Sequence, residues 1–264
     1  MLLNYSFKNF CSFKDSVEFS LLATDVEKSD FPLNYVSNKV DVLKSAVIVG
    51  ENAGGKTNFV KSLSYLKSLF KETNFIKANL KFIHDSYNNA PETKICDTTQ
   101  TFSISVLIDD AVYNYNLELD YLGIKSENFS MRCLDDNKII KIFEVHRQEK
   151  NIDLLDPIKM TELVNREKLP IINLNYNLVK DSRKTSEFVE NVLEQSANEE
   201  HSGLNLTKLA ILGVKSAVTF SKWLNETLFV NISSDGENYF QSKKLLNEDA
   251  IILTDKENFL QILQ

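Results

Sequence analysis

The chain has 264 residues, a formal net charge of −7, 43% hydrophobic residues and 25% charged residues, proportions that fit a globular protein able to bury one large core or two small ones. The acidic balance argues against a globally basic nucleic-acid surface, no apolar run approaches the ~20 residues of a membrane span, and Met1 to Phe10 lacks the basic flank and apolar centre of a signal peptide, so a cytoplasmic protein is expected. Cys11, Cys96 and Cys133 are widely spaced and form no C-x-x-C pair, which suggests reduced thiols rather than a disulfide framework or a zinc site.

In chain order, Leu3, Tyr5 and Phe7 alternate, Asn9 to Asp15 break the pattern, and Val17, Phe19 and Leu21 alternate again, which predicts a β-hairpin. Thr24 to Lys44 is polar, is interrupted by Pro32, and reads as a surface connection with at most a short helical turn. Ala46, Val47, Ile48 and Val49 form a short apolar run suited to a buried parallel strand. Phe59, Leu63, Leu66 and Phe70 then recur on one face of a helix.

Between that run and that helix lies Gly50-Glu51-Asn52-Ala53-Gly54-Gly55-Lys56-Thr57, which satisfies G-x-x-x-x-G-K-[ST], the pattern of a phosphate-binding loop. Glycines allow the backbone to turn its N–H groups inward around phosphate oxygens. Lys56 supplies a point charge, Thr57 a hydroxyl for Mg²⁺, and the helix start contributes unpaired donors and the positive end of its dipole. The pattern therefore predicts binding of a nucleotide with Mg²⁺.

Thr73 to Gln100 is rich in Asn, Asp and Thr and reads as an exposed excursion. From Thr101 the period falls to two: Phe102, Ile104, Val106 and Ile108 alternate, Asp109-Asp110 turns the chain, and Val112, Tyr113, Tyr115, Leu117 and Leu119 form the return strand. Further strands near Glu127 to Leu134 and Lys138 to His146, joined by Asp135-Asp136-Asn137, complete an antiparallel meander. Helical spacing follows in Phe188, Val189, Val192 and Leu193, and again in Val214, Ala217, Val218, Ser221, Leu224 and Leu228 around Trp223. Leu228 to Ile232 reads as a strand, and Phe259, Leu260 and Leu263 as a short helix.

The hairpin, loop and meander occur in an order unlike that of small kinases or GTPases. Phe7-Lys8-Asn9-Phe10-Cys11-Ser12-Phe13-Lys14-Asp15 together with Gly50 to Asn58 resembles the ABC-type ATPase head of SMC and RecF proteins, and more closely the AAA15 group of bacterial ATP-binding proteins, which includes ATPases of abortive-infection and other phage-defence systems. The Asn-Ala pair inside the loop and Asn58 after Thr57 are typical of that group, whereas its members often have Ser in place of Gly54 and of Thr57.

The resemblance implies an α/β fold: a P-loop NTPase of ABC-ATPase-head type, with an N-terminal lobe, an antiparallel β-meander and a helical insertion. Its expected division is 1–150 for the nucleotide-binding lobe, 151–227 for a helical subdomain and 228–264 for the start of an incomplete second lobe. It further implies ATP and Mg²⁺ bound by Gly50, Glu51, Asn52, Ala53, Gly54, Gly55, Lys56, Thr57 and Asn58, with Ser12 and Phe13 near the adenine. Lys56 is the expected catalytic cation and Thr57 a metal ligand. Gln148 lies nearest the place of a metal-contacting glutamine, with Gln100 the alternative. Implied partners are a second head, as a homodimer or higher oligomer, and a separate effector protein.

The sequence departs from the group at its far end. Ile232 to Glu237 has the composition of a signature loop but the wrong spacing, and the apolar run Ala250 to Asp255 is followed by Lys256 where a Walker B acid would stand. The chain therefore reads as an ATPase whose hydrolysis awaits completion, or as an ATP-binding or subunit-interaction module without hydrolysis of its own. His84, His146 and His201 have no helical partner for a metal pair. Arg132, Arg147, Arg166 and Arg183 are too dispersed for a kinase lid. Lys61, Lys67, Lys71, Lys77 and Lys81 are explained more simply as a solvated face than as a nucleic-acid surface.

Overall fold

A computed structural model describes residues 1–23, 33–37, 40–72, 76, 78–84, 99–120, 123–147, 176–178, 187, 189, 191 and 203–230. Strands β1 (Leu2–Lys8) and β2 (Val17–Ser20) form the expected hairpin, and β5 (Gln100–Ile108), β6 (Ala111–Asp120), β7 (Gly123–Cys133) and β8 (Ile139–Arg147) the expected meander, with β3 (Leu33–Ser37), β4 (Val40–Leu43) and β9 (Tyr176–Leu178) in addition. Seven strands join in one sheet of order β2-β1-β5-β6-β7-β8-β9, and every pairing is antiparallel. The turns are those the sequence marks. Asp109 takes φ 51° and Asn137 φ 54°, left-handed conformations that Asp and Asn tolerate better than most residues.

One face of this sheet is covered by helices. Helix α1 (Lys56–Leu69) lays Leu66 and Leu69, with Phe70 just beyond, into a core that also holds Tyr5, Phe7, Phe102, Ile104, Tyr115 and Phe129. Helices α2 (Asn205–Ile211) and α3 (Lys215–Lys222) and a π-helical turn (Trp223–Thr227) bring Leu206, Leu209, Phe220, Trp223 and Leu224 into the same core. The Phe220 ring lies 5.1 Å from Phe129, 5.9 Å from Tyr115 and 6.2 Å from Phe70, which places it where the helices and the sheet meet. The fold is therefore mixed α/β, an antiparallel sheet with helices on one face.

Three stretches before the meander differ from their sequence reading, and beyond it residues 228–230 are in no strand and β9 lies within the expected helical subdomain. Residues 33–43 include a β-ribbon, β3–β4, rather than a plain connection. Val40 and Val42 are buried, and with Leu3, Leu107, Val112 and Leu134 they build a second small core. The ribbon is attached to the sheet edge by Leu43 N–H to Leu21 O at 2.8 Å and Ala23 N–H to Asp41 O at 3.0 Å. The excursion after Glu72 is also less exposed than its composition suggests, since Ile76, Ala78 and Ile83 are buried. A backbone bond from Ala78 to Asp120 O at 2.8 Å holds it against the end of β6.

The third difference is at residues 46–49, which belong to no strand and leave Val47 and Val49 each 84% exposed. Among the described residues the sheet contains no parallel pair that could have taken this run. Sequence hydrophobicity predicted a buried strand, but burial needs a neighbour with free backbone groups, and β1 is already paired on both sides, by β2 and β5.

Two buried ionic groups fix this arrangement. Asp120, at the end of β6, receives a two-pronged hydrogen bond from the Arg147 guanidinium at the end of β8, Nη1 to Oδ1 at 2.8 Å and Nη2 to Oδ2, and both side chains are almost wholly shielded from water. Glu127 on β7 is completely buried. Its carboxylate accepts from the Asn205 N–H at 2.8 Å, Asn205 Nδ2 at 2.9 Å, the Leu206 N–H at 3.0 Å and the Tyr115 hydroxyl at 3.1 Å. The first three donors lie at the start of α2, which has no capping bond from its own flanking residue. A strand side chain thus supplies the acceptor that orphan helix N–H groups need.

Burial raises the Glu127 pKa above the ordinary 4.5, and the hydrogen bonds only partly oppose it. A folded-state pKa raised in this way contributes stability that is complete below pH 4.5 and is lost as pH rises through the raised value. Glu127→Ala strands four donors and should destabilise the protein by about 3 kcal/mol in urea unfolding. Glu127→Gln should be milder, and its deficit relative to wild type should be largest at low pH and should narrow toward neutrality.

Candidate functional site

The glycine-rich loop leads into α1 with its backbone already turned. Gly55 takes φ +89° and Ala53 φ +64°, and the Gly54 N–H donates to Glu51 O at 3.1 Å. The Lys56 ammonium folds back along the loop and donates to Gly50 O and to Glu51 O, both at 2.6 Å. Helix α1 starts without a side-chain cap and without an acidic residue in its first turn, and its first residue is a lysine. For the helix alone this is unfavourable, because a cation opposes the positive end of the dipole. For a polyanion it is the right chemistry: uncapped N–H donors, a positive dipole end and a lysine converge on one exposed loop.

Three of the motif's glycines matter in different ways. A Cβ at Gly50 would meet nothing within 4 Å. One at Gly54 would come within 3.0 Å of Glu51 O. One at Gly55 would come within 2.9 Å of both Phe13 Cζ and Ser12 Oγ, on a backbone that L-residues rarely adopt. The close approach of backbone that the motif needs is therefore present in the chain's own packing. Thr57 is exposed at the start of α1.

Ser12 and Phe13, expected near the adenine, lie against the loop and the first turn of α1. Asn58 Nδ2 donates to Ser12 Oγ at 3.0 Å. The Phe13 ring packs edge-on against Phe7 at 5.1 Å, behind Gly55. The glutamines do not join them. Gln100 is fully buried, and its Nε2 donates to Asn9 O at 2.9 Å and Phe82 O at 3.2 Å, so it braces the turn after β1 instead of facing the loop. Gln148 lies outside the described residues, as do Asp235, Asp255, Lys256, His201, Arg166 and Arg183.

The other candidates disperse. The His146 ring contacts Glu144 at 2.9 Å, the His84 N–H donates to Asn9 Oδ1, and among the described residues no cluster of three or more His, Cys, Asp or Glu side chains could hold a metal. The lysine row also divides. Lys61, Lys71 and Lys81 are exposed. Lys67 is committed to the protein: its ammonium donates to Leu228 O at 2.5 Å and Asn225 O at 3.4 Å and lies 5.8 Å above the Phe229 ring. Burial, and secondarily the neighbouring Lys71, lowers its pKa.

Sequence reasoning missed the roles of Lys67, which ties α1 to the π-helical turn, and of Glu127, which ties α2 to β6 and β7. A signal for Glu127 was present: it shares strand parity with Phe129, and its register partners are Leu117 and Val145. Among the described residues no helix is long and apolar enough to cross a membrane. Comparison with protein-family models and with curated proteins finds no match for the chain.

Gly55→Ala combines a collision with an unfavourable φ, and should cost about 1–3 kcal/mol in thermal or urea unfolding. Gly50→Ala, which meets nothing, should cost measurably less in the same experiment.

Proposed function

We propose that the chain binds Mg-ATP at Gly50 to Thr57 and works as an ABC-type ATPase head of the AAA15 kind. The observation that carries this reading is the uncapped, acid-free start of α1 with Lys56 folded over the loop carbonyls. Such a helix start is poorly satisfied by the protein itself and well satisfied by phosphate oxygens. The Lys56 ammonium and the loop N–H groups would hold the β- and γ-phosphates, Thr57 would ligate Mg²⁺, and charge developing on the transferring phosphoryl group would be spread over the same donors. When bound, Mg²⁺ supplies Lewis-acid stabilisation of that charge. Asn58 would act on the loop through Ser12.

On this reading the protein is a cytoplasmic, nucleotide-switched component of a bacterial phage-defence system. Two heads associate around ATP, and a separate effector protein responds. A second reading, an ATP-binding or subunit-interaction module without hydrolysis, is favoured by the exposed Val47 and Val49 immediately before the loop. These side chains give the nucleotide site an apolar flank available to another polypeptide.

Lys56→Ala should abolish Mg-ATP binding in isothermal titration; equal affinity in wild type and variant would reject the assignment. Thr57→Ala should retain ATP binding without metal but lose most of the gain that Mg²⁺ brings. Phosphate release from wild type above that of Lys56→Ala would support the ATPase, and binding without release the module.

A further inference from the structure

We infer that the turn Asn9–Phe13 is a preformed buttress for the phosphate loop, with Ser12 and Asn58 as positioning residues; the inference rests on the proposed nucleotide site.

The turn is held far more tightly than its sequence requires. Asn9 and Cys11 both take positive φ, 55° and 51°. Asn tolerates this conformation, but for Cys11 it persists only where surrounding contacts over-determine it. The turn has such contacts on every side. Phe10 and Phe13 exchange backbone hydrogen bonds, each at 2.9 Å, and the Cys11 N–H donates to Phe82 O at 2.7 Å. Asn9 is fully buried, with its carbonyl receiving Gln100 Nε2 and its side-chain oxygen receiving the His84 N–H. The Phe10 ring stacks on Phe82 at 5.2 Å and meets Phe7 edge-on.

What this braced turn presents outward is Ser12 and Phe13, and both face the loop. The Phe13 ring and the Ser12 hydroxyl fill the space where a Cβ of Gly55 would stand. Ser12 Oγ also accepts from Asn58 in the first turn of α1. The loop's other arm offers no comparable support, because residues 46–49 belong to no strand and Val47 and Val49 are exposed. The direction of the α1 N–H donors is thus set from the side of β1. Phosphate affinity depends on those donors being aimed before the ligand arrives, so a contact that never touches the ligand governs how tightly it is held.

A double-mutant cycle tests this. Mg-ATP affinity is measured by isothermal titration for wild type, Ser12→Ala, Asn58→Ala, the double variant and Ser12→Thr, with Lys56→Ala as reference. Each single alanine variant should weaken binding about fivefold, the size expected for one net hydrogen bond. The double variant should be no weaker than either single one, and Ser12→Thr, which keeps the hydroxyl, should restore affinity. The thermal midpoint of Ser12→Ala should stay within about 2 °C of wild type, because Ser12 is exposed. Unchanged affinity in the alanine variants, additive losses, or failure of threonine to rescue, with Lys56→Ala still inactive, would overturn the buttress and leave the nucleotide site standing. Undiminished binding by Lys56→Ala would overturn the site and the buttress with it.

Discussion

The helical side of this protein depends on one buried carboxylate. Helices α2 and α3 have seven and eight residues, too short to persist alone in water. Glu127 receives the first N–H groups of α2 and the Tyr115 hydroxyl at once, so strand β6, strand β7 and the helix pair share a single charged acceptor. Burying that charge is costly. Its four donors offset part of that cost and also fix where the helix begins, since no apolar contact has comparable directionality.

The consequence reaches the phosphate loop from behind. Helix α1 ends at Phe70, whose ring sits between Tyr115 at 5.1 Å and Phe220 at 6.2 Å. Lys67, one turn earlier, donates to the carbonyl end of the π-helical turn, a favourable place for a cation. The loop at the front of α1 therefore lies at one end of a rod whose other end is gripped by the helices that Glu127 positions. The front is held by contact with the turn after β1, and the rear by a charge and an aromatic cluster.

Much of this was legible in the sequence, for a physical reason. Alternation in Phe102 to Ile108 and Tyr113 to Leu119 reports a sheet with one covered face, and local turn residues such as Asp109 and Asn137 report where it reverses. The glycine-rich loop and the apolar stripe behind it report α1, and spacing around Trp223 reports the second helical region. What could not be read were decisions made by distant partners. Ala46 to Val49 has the composition of a core strand, yet it pairs with no strand of the sheet and its side chains are exposed. Val42 and Ile83 are buried because other segments cover them, not because of their own neighbours in sequence. Glu127 lies on the covered parity of its strand, but the donors that let a carboxyl group sit there come from α2, 78 residues later. At the candidate site the motif identified the loop, but the geometric demand on Gly55 comes from Phe13, which no spacing rule connects to it.

The pairing of β1 with β5 joins Phe7 to Phe102 and Ser6 to Ser103 across almost the whole first part of the chain. The meander from β5 to β8 is built instead from adjacent strands with short turns. Closing so long a loop carries an entropic cost that grows with its length, and non-local pairings of this sort slow folding. The meander and the β1–β2 hairpin are built from pairings between neighbouring strands, whereas their junction is not. The phosphate loop lies within the intervening segment, and the turn that supports it is braced by Gln100, the first residue of β5. The geometry that the proposed nucleotide site requires is thus complete only where β1 and β5 have paired.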